Sequence, residues 1–148
     1  MIYTVEIDLS LPRDKVVELF DNPSNMREWL DSLVSYEHLI GVPGQEGATA
    51  RLVHRFGNRE VEMTETVASR NLPDEFTELY EAKGAWNRVI NRFVELGPNQ
   101  TRWIFESEFR CSGFLKVMAY LMPGMFKKAS LNDMRRFKKF AESRAATA

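Results

Sequence analysis

The sequence predicts an α+β fold in which seven antiparallel strands form a curved sheet around one long C-terminal helix, with two short helices between the first two strands. Three observations carry that expectation. Residues 2–9 alternate apolar and polar side chains, as a half-buried strand does. Six further strand-like runs then follow one another between residues 34 and 111, broken only by short turn-rich segments. From Phe114 the apolar period becomes that of a helix and holds almost to the end of the chain. A sheet with one apolar face needs cover, and this last helix is the only element long enough to give it.

The first strand places Tyr3, Val5, Ile7 and Leu9 on one face and Thr4, Glu6 and Asp8 on the other. Pro12 suits a first helical position, and Val16, Val17, Leu19 and Phe20 give the short helix behind it an apolar side. Asn22-Pro23 breaks it. Asn25 with Glu28 resembles a capping box and opens a second short helix carrying Met26, Trp29, Leu30 and Leu33. The remaining strands are expected near 34–41, 48–56, 59–70, 75–83, 86–96 and 101–111. Their breaks fall at Pro43-Gly44 through Gly47, Gly57-Asn58, Leu72-Pro73-Asp74, Gly84-Ala85 and Gly97-Pro98-Asn99. Loops this short between consecutive strands imply an antiparallel meander. In the final helix Met125, Phe126, Ala129, Met134, Phe137, Phe140 and Ala141 recur at helical spacing, and Pro123-Gly124 should kink it.

Composition bounds the function classes. The 148 residues fit one domain spanning 1–148 and suffice for a sizeable core. Cys111 is the single cysteine, so no internal disulfide forms, in keeping with a reducing compartment. The opening MIYTVEIDLSLP has neither the basic stretch nor the apolar core of a secretory signal. The apolar stretch Phe114 to Met122 contains Lys116 and is far too short to span a bilayer, so a soluble cytoplasmic protein without a transmembrane segment is expected. No HxxxH, HExxH or Cys/His ligand spacing exists, and neither GxGxxG nor GxxxxGK(S/T) occurs. Hence no metal, cofactor or nucleic-acid partner is expected. Residues 127–144 carry Lys127, Lys128, Arg135, Arg136, Lys138, Lys139 and Arg144 against only Asp133 and Glu142, on a chain whose net charge is −1. That basic helix is either a solvated face or a weak contact for an acidic surface.

The opening VEIDLSLPRDKVVELFDNPSNMREWLDSL, the strand ending GPNQTRWIFESEF and the closing MRRFKKFAE complete a recognisable order of elements. That order resembles the START-like, or helix-grip, superfamily, and within it the small bacterial polyketide cyclase/dehydrase-like and SRPBCC proteins. The resemblance covers nearly the whole chain but is a pattern of elements rather than a catalytic signature. It implies a cavity between sheet and helix that takes lipids, polyketides, hormones, sterols or quinones, with cyclisation or dehydration in some members.

Turn lengths propose which residues face that cavity. Gly57-Asn58 as a type II′ turn pairs Phe56 with Arg59, His54 with Val61, Leu52 with Met63 and Ala50 with Glu65. A loop of Asn71 to Asp74 sets Glu65 opposite Tyr80 and Val67 opposite Glu78. Gly84-Ala85 as a two-residue turn puts Tyr80 against Val89, Glu78 against Asn91 and Phe76 against Phe93. A three-residue loop ending at Gln100 puts Asn91 opposite Ser107 and Phe93 opposite Phe105. One face then carries Glu75, Thr77 and Glu81 with Arg88, Arg92, Arg102, Glu106, Glu108 and Arg110, alternating in sign across strands as a wet face does.

The other face carries Tyr3, Val5, Ile7, Leu52, Val89 and Phe109, and with them the expected ligand-binding residues. Of these Tyr36, Met63, Phe76, Phe93, Trp103 and Phe105 are apolar or aromatic, and His38, His54, Glu65, Glu78, Tyr80, Asn91 and Ser107 are polar. Met118 and Met122 join them from the C-terminal helical region, as core filler or as an adaptable pocket wall. Glu78, Asn91 and Ser107 are expected in a line across three strands, with Glu65 and Tyr80 beside it. A buried carboxylate must raise its pKa or recruit donors, so Glu65 and Glu78 are candidates to bind a ligand hydroxyl. With Tyr80 they are also the candidate catalytic groups, as acid or base toward an enolisable substrate. The alternative is that both glutamates are satisfied by Tyr80, Asn91 and water, or lie near a solvated rim. His38 and His54 are expected as packed or hydrogen-bonded sheet residues, and Cys111 as an inert thiol.

Three functions follow. The first is a binding protein for a small hydrophobic or amphipathic ligand of lipid, polyketide, isoprenoid or quinone type. The second is a cyclase or dehydratase that uses the same groups. The third is an interaction module that docks through its basic terminal helix. A monomer and a homodimer are both compatible with the sequence, and Pro123-Gly124 is either a gate or a simple bend.

Overall fold

The alternating opening forms β1 (Ile2–Leu9), Pro12 caps α1 (Arg13–Phe20), and a short 3₁₀ turn (Pro23–Asn25) leads into α2 (Met26–Trp29). The meander is β2 (Leu33–Ile40), β3 (Thr49–Phe56), β4 (Arg59–Asn71), β5 (Glu75–Ala82), β6 (Ala85–Gly97) and β7 (Gln100–Cys111). α3 (Gly113–Leu121) and α4 (Met125–Ala146) close the chain, separated at Met122-Pro123-Gly124. The computed structural model describes residues 1–146. All seven strands form one antiparallel sheet in the order β1-β7-β6-β5-β4-β3-β2, so the helix-grip architecture expected from the sequence is present.

The second short helix differs from expectation. Pro23 takes the first position of the 3₁₀ turn, so the cap moves upstream to Asn22, whose Oδ1 accepts from the Ser24 amide at 3.1 Å. Asn25 does not cap; its Nδ2 donates to the Leu19 carbonyl at 3.1 Å and ties the turn to α1. The α2 turn ends at Trp29, and Leu33 begins β2 rather than extending a helix.

The strand register is partly as expected. β3 and β4 pair as Phe56–Arg59, His54–Val61, Leu52–Met63 and Ala50–Glu65, with Gly57 at φ +65° and Asn58 not in the positive-φ region, as a type II′ turn requires. Glu65 opposes Tyr80 and Val67 opposes Glu78, although the loop is one residue shorter than expected. A bulge at Ala68 restores the difference.

The next two hairpins are each displaced by two residues. Gly84, at φ +77°, takes the second position of a Lys83-Gly84 turn, so Ala82 pairs with Ala85 and Glu78 faces Val89. Between β6 and β7 the turn is Pro98-Asn99 with a bulge at Leu96, so Phe93 faces Trp103 and Asn91 faces Phe105. A displacement of two keeps every side chain on its own face, because the strand repeat is two. The charged face survives intact, with Arg92 between Glu75 (3.1 Å) and Glu106 (3.6 Å), and Arg102 on Asp8 at 2.8 Å.

The concave face is packed solid at one end. Trp103, Phe93, Phe137, Met134, Leu9 and Val16 are almost completely buried there. Phe137 meets the Trp103 ring at 5.1 Å and the Trp29 ring at 5.3 Å, both edge to face, and Phe20 lies 5.1 Å from Phe93. Polar ties fix the same end. Lys138 donates to the Asp8 carbonyl (2.6 Å) and pairs with Glu142 (3.0 Å), which also accepts from the Ser10 amide (2.8 Å). Arg70 holds Asp21 at the end of α1 through two contacts of 2.6 and 2.8 Å.

The other end is looser. There α4 rests on Phe126, stacked on Phe109 at 4.6 Å, and on a Tyr3–Ser130 hydrogen bond of 2.7 Å.

Phe137→Ala should therefore cost about 3–5 kcal/mol by denaturant titration, and Phe126→Ala at the loose end only about 1–2 kcal/mol. Equal losses at the two sites would contradict this division of the helix.

Candidate functional site

Polar side chains on the concave face join into one hydrogen-bonded chain that starts in the core. The buried Trp103 Nε1 donates to Asn91 Oδ1 at 3.0 Å. Asn91 Nδ2 donates to Glu78 Oε1 at 3.2 Å and to the Phe76 carbonyl at 3.4 Å. The Tyr80 hydroxyl donates to Glu78 Oε2 at 2.8 Å. Each link is between inward-facing residues two apart on one strand or on adjacent strands, which is why alternation alone could bring them together. Both Glu78 oxygens are thus supplied with donors.

Glu65, directly across from Tyr80, is not so supplied. Its Oε2 is, among the described residues, a buried side-chain oxygen with no hydrogen-bond partner. Such an atom loses hydration without replacement, so something must provide a hydrogen. Glu78 is one source. Burial drives its pKa far up, and the Glu65 charge and hydrogen bond push it further, against the opposing bonds from Tyr80 and Asn91. Glu65 is also raised, by burial, with Glu78 and Tyr80 moderating the rise. The pair therefore holds a proton well above the usual carboxylate range. Tyr80 and Tyr36 are pushed up as well, mainly by burial and then by these carboxylates, so both phenols remain protonated donors.

The structure brings Tyr36, Glu65, Glu78, Tyr80, Asn91 and Trp103 into one neighbourhood. Ser107 lies apart from Asn91; it faces Val89 and accepts from Asn87 Nδ2 at 2.7 Å. The expected line of Glu78, Asn91 and Ser107 is therefore replaced by a diagonal from Glu78 to Asn91, because of the two-residue displacement. His54 is buried four residues along β3 from the position opposite Glu65, sharing a 2.8 Å hydrogen bond with Ser32 Oγ, and burial lowers its pKa. His38 is exposed and donates to the Gly41 carbonyl at 2.6 Å. Phe76, Phe93 and Trp103 are locked in core packing. Tyr36, Met63, Tyr80 and Phe105 are only half-buried, so this part of the concave face is not fully sealed by α4. Met118 is half-buried on α3, and Met122 is exposed at its end.

Two residues escaped the sequence reading. Asn87 continues the inward alternation of Asn91 and Val89 by one more step toward the turn. Ser130 is a polar residue on the helical stripe of Phe126 and Met134, a spacing that marks an inward hydroxyl.

Two shallow, open grooves lie on the surface. One of about 340 Å³ lies between α3 and the edge of β1 and β7, lined by Met1, Phe109, Arg110, Cys111, Lys116 and Ala119. The other, about 470 Å³, runs along the outer side of α4 beside Glu28, Arg136, Lys139 and Phe140. Neither is the chamber between sheet and helix that the sequence leads one to expect. In α4 itself, Arg136 pairs with Asp31 at 2.9 Å and Asp133 at 2.8 Å, so part of its positive charge is used within the chain. Among the described residues, no helix is long and apolar enough to cross a membrane, and no three acidic, His or Cys side chains gather as a metal site.

The sequence profile of the family described as polyketide cyclase / dehydrase and lipid transport matches residues 2–142. No curated protein matches the sequence. Solved structures match the fold at low identity. A conserved protein from Geobacillus kaustophilus superposes with a TM-score of 0.83 at 14% identity, covering 97% of this chain and 96% of that one. The Zhui aromatase/cyclase of a Streptomyces species gives 0.79 at 15% identity, covering 98% and 96%. A norcoclaurine synthase point mutant from Thalictrum flavum, in complex with a transition state analogue, gives 0.72 at 12% identity, covering 98% and 96%.

The raised carboxyl pKa values set a sign for stability. A group whose folded pKa exceeds its unfolded value stabilises the fold fully below the unfolded value, and that contribution is lost as pH rises through the folded one. Glu78→Gln replaces the acid proton with an amide donor that does not titrate. Its stability relative to wild type should therefore rise from mildly acidic to alkaline pH. Urea titrations across that range give the difference profile, in which the opposite titration of His54 cancels; a flat profile would mean that Glu78 carries no buried proton.

Proposed function

The chain belongs to the polyketide cyclase / dehydrase and lipid transport family, and from that premise we propose that its concave face binds a hydrophobic or amphipathic small molecule carrying a hydroxyl. The observation that carries this reading is Glu65 Oε2, a buried carboxylate oxygen without a hydrogen-bond partner, beside the half-buried Tyr36, Met63 and Phe105. A ligand of the lipid, polyketide, isoprenoid or quinone kind gains affinity by covering the half-buried Tyr36, Met63 and Phe105, at about 25 cal/mol per Å² of apolar surface removed from water. Its hydroxyl then donates to Glu65 and takes over from the proton of Glu78. Orientation comes from that one polar contact. The Trp103–Asn91–Glu78 chain holds the acid pair in place before any ligand arrives.

The same pair supports a second reading, in which it moves a proton on the bound molecule. A proton shared between two buried carboxyls, with a protonated Tyr80 beside them, suits enolisation of a carbonyl or loss of water from a β-hydroxy carbonyl. Glu65 would be the base and Glu78 or Tyr80 the acid.

Native mass spectrometry of protein purified from its own host, followed by solvent extraction, should find an apolar hydroxylated molecule that travels with the chain. For the polar contact, naphthol should bind more tightly than its methyl ether by about tenfold, the worth of a hydrogen bond to a charged group. Glu65→Gln should erase most of that preference. Equal affinities for the two probes in wild type would remove Glu65 from the binding site. If Glu65→Gln leaves binding intact while abolishing turnover of a β-hydroxy carbonyl substrate, the catalytic reading replaces the binding one.

A further inference from the structure

A helix at a water-facing surface ordinarily turns its apolar side inward and its charges outward. α3 is apolar on both sides: Leu115, Met118 and Ala119 are half-buried against the body of the protein, and a second apolar face is left in the open. Phe114, Val117 and Leu121 share one helix face at spacings of three and four, and they are 62%, 54% and 66% exposed. Tyr120 beside them is 85% exposed, and no residue of α3 is buried. The tip of the β3–β4 hairpin stands next to this face. The Arg59 guanidinium lies 5.8 Å from the Phe114 ring, and Phe56, 56% exposed, pairs with Arg59 across the turn. Helix and hairpin together form an apolar projection too large to be a scatter of single exposed residues.

Its surroundings are positive. From Phe109 to Asn132 the chain has Arg110, Lys116, Lys127 and Lys128 and no Asp or Glu; Arg110 pairs with Glu108 at 3.4 Å, so the three lysines make the rim positive. At the hairpin tip, Glu60 is held by Arg55 at 2.9 Å. A second copy of the chain on this patch would set the same cations against these, with no carboxylate in the segment to meet them. A bilayer with acidic headgroups brings phosphates to the rim and acyl chains to the centre, which is the composition the patch complements. Lysine stems can lie along the apolar face while their ammonium groups reach the headgroups.

We propose that α3 and the β3–β4 hairpin tip dock this chain on an anionic lipid bilayer, with Phe114, Val117 and Leu121 at the acyl-chain boundary. The break at Met122-Pro123-Gly124 lets α3 seat on the lipid without disturbing Met134 and Phe137 in the core. The docking stands independently of what the concave face binds.

Flotation of the full chain with phosphatidylcholine vesicles, with and without phosphatidylglycerol, tests it. Wild type should float with the phosphatidylglycerol vesicles and not with the neutral ones. The double variant Val117→Ser with Leu121→Ser should lose at least about tenfold in partition coefficient. Lys127→Glu with Lys128→Glu, and salt of about 0.5 M, should each weaken binding to the anionic vesicles. These positions are exposed, so unfolding midpoints should match wild type and exclude misfolding as the cause. Binding to neither vesicle would overturn the proposal, as would binding that the serine variant leaves unchanged. A dimer seen by sedimentation equilibrium and dissociated by the serine variant, without vesicle binding, would reassign the patch to contact between copies of the chain.

Discussion

The Trp103 indole is the point at which the core and the candidate site become mechanically one. Its ring is wedged among Phe20, Trp29, Phe93 and Phe137, and its N–H reaches out of that cluster to Asn91. Asn91 in turn supports Glu78, so the position of the acid pair is inherited from aromatic packing rather than from flexible surface groups. A buried indole N–H needs an acceptor, and a buried amide needs both donors and acceptors matched. The chain of hydrogen bonds solves these requirements in sequence as far as Glu78 and Tyr80, beside which Glu65 Oε2 has no donor but the proton the pair shares. An apolar core thus ends in a polar group with unfilled capacity.

Along the concave face the protein passes from closed to open. Where α1, α2 and the C-terminal half of α4 converge, aromatic rings fill the space and two basic side chains of α4 are spent on β1 and on Asp31 in the turn before β2. Over the first turns of α4, before Leu131 and Met134 reach the core, the cover rests on a ring stack of Phe126 on Phe109 and a Tyr3–Ser130 hydroxyl pair, and no residue of α3 is buried. Rigid support at one end and weak cover at the other is the distribution of stability that ligand-exchanging elements need, since a lid must open at low cost while its anchor stays fixed. The family relationship and the shared fold fit this arrangement without specifying a ligand, because a fold of this kind is a frame on which different sites are built.

The strand errors are informative about what a face requires. In both displaced hairpins the turn glycine or proline lies within one residue of its expected place, yet the pairing differs by two. Every inward residue nevertheless stayed inward. Burial of one face penalises an odd slip heavily and an even slip hardly at all, so patterning constrains parity more tightly than it constrains partners. The lost line from Asn91 to Ser107 and the gained contact from Asn87 to Ser107 are both consequences of that difference.

The order of elements, the face of each strand, the apolar stripe of α4 and the membership of Glu65, Glu78, Tyr80 and Asn91 in one inward cluster were all legible in the residues, because each follows from local periodicity and turn chemistry. Three things were not: that Asn25 braces α1 instead of capping α2, that bulges at Ala68 and Leu96 reset the register, and that one of the two apolar sides of α3 is left exposed. Each of these depends on what a segment meets after the chain has folded back on itself. Periodicity tells a helix which of its sides is greasy. Only the assembled sheet, and the space remaining beside it, decides whether that side finds protein to cover it.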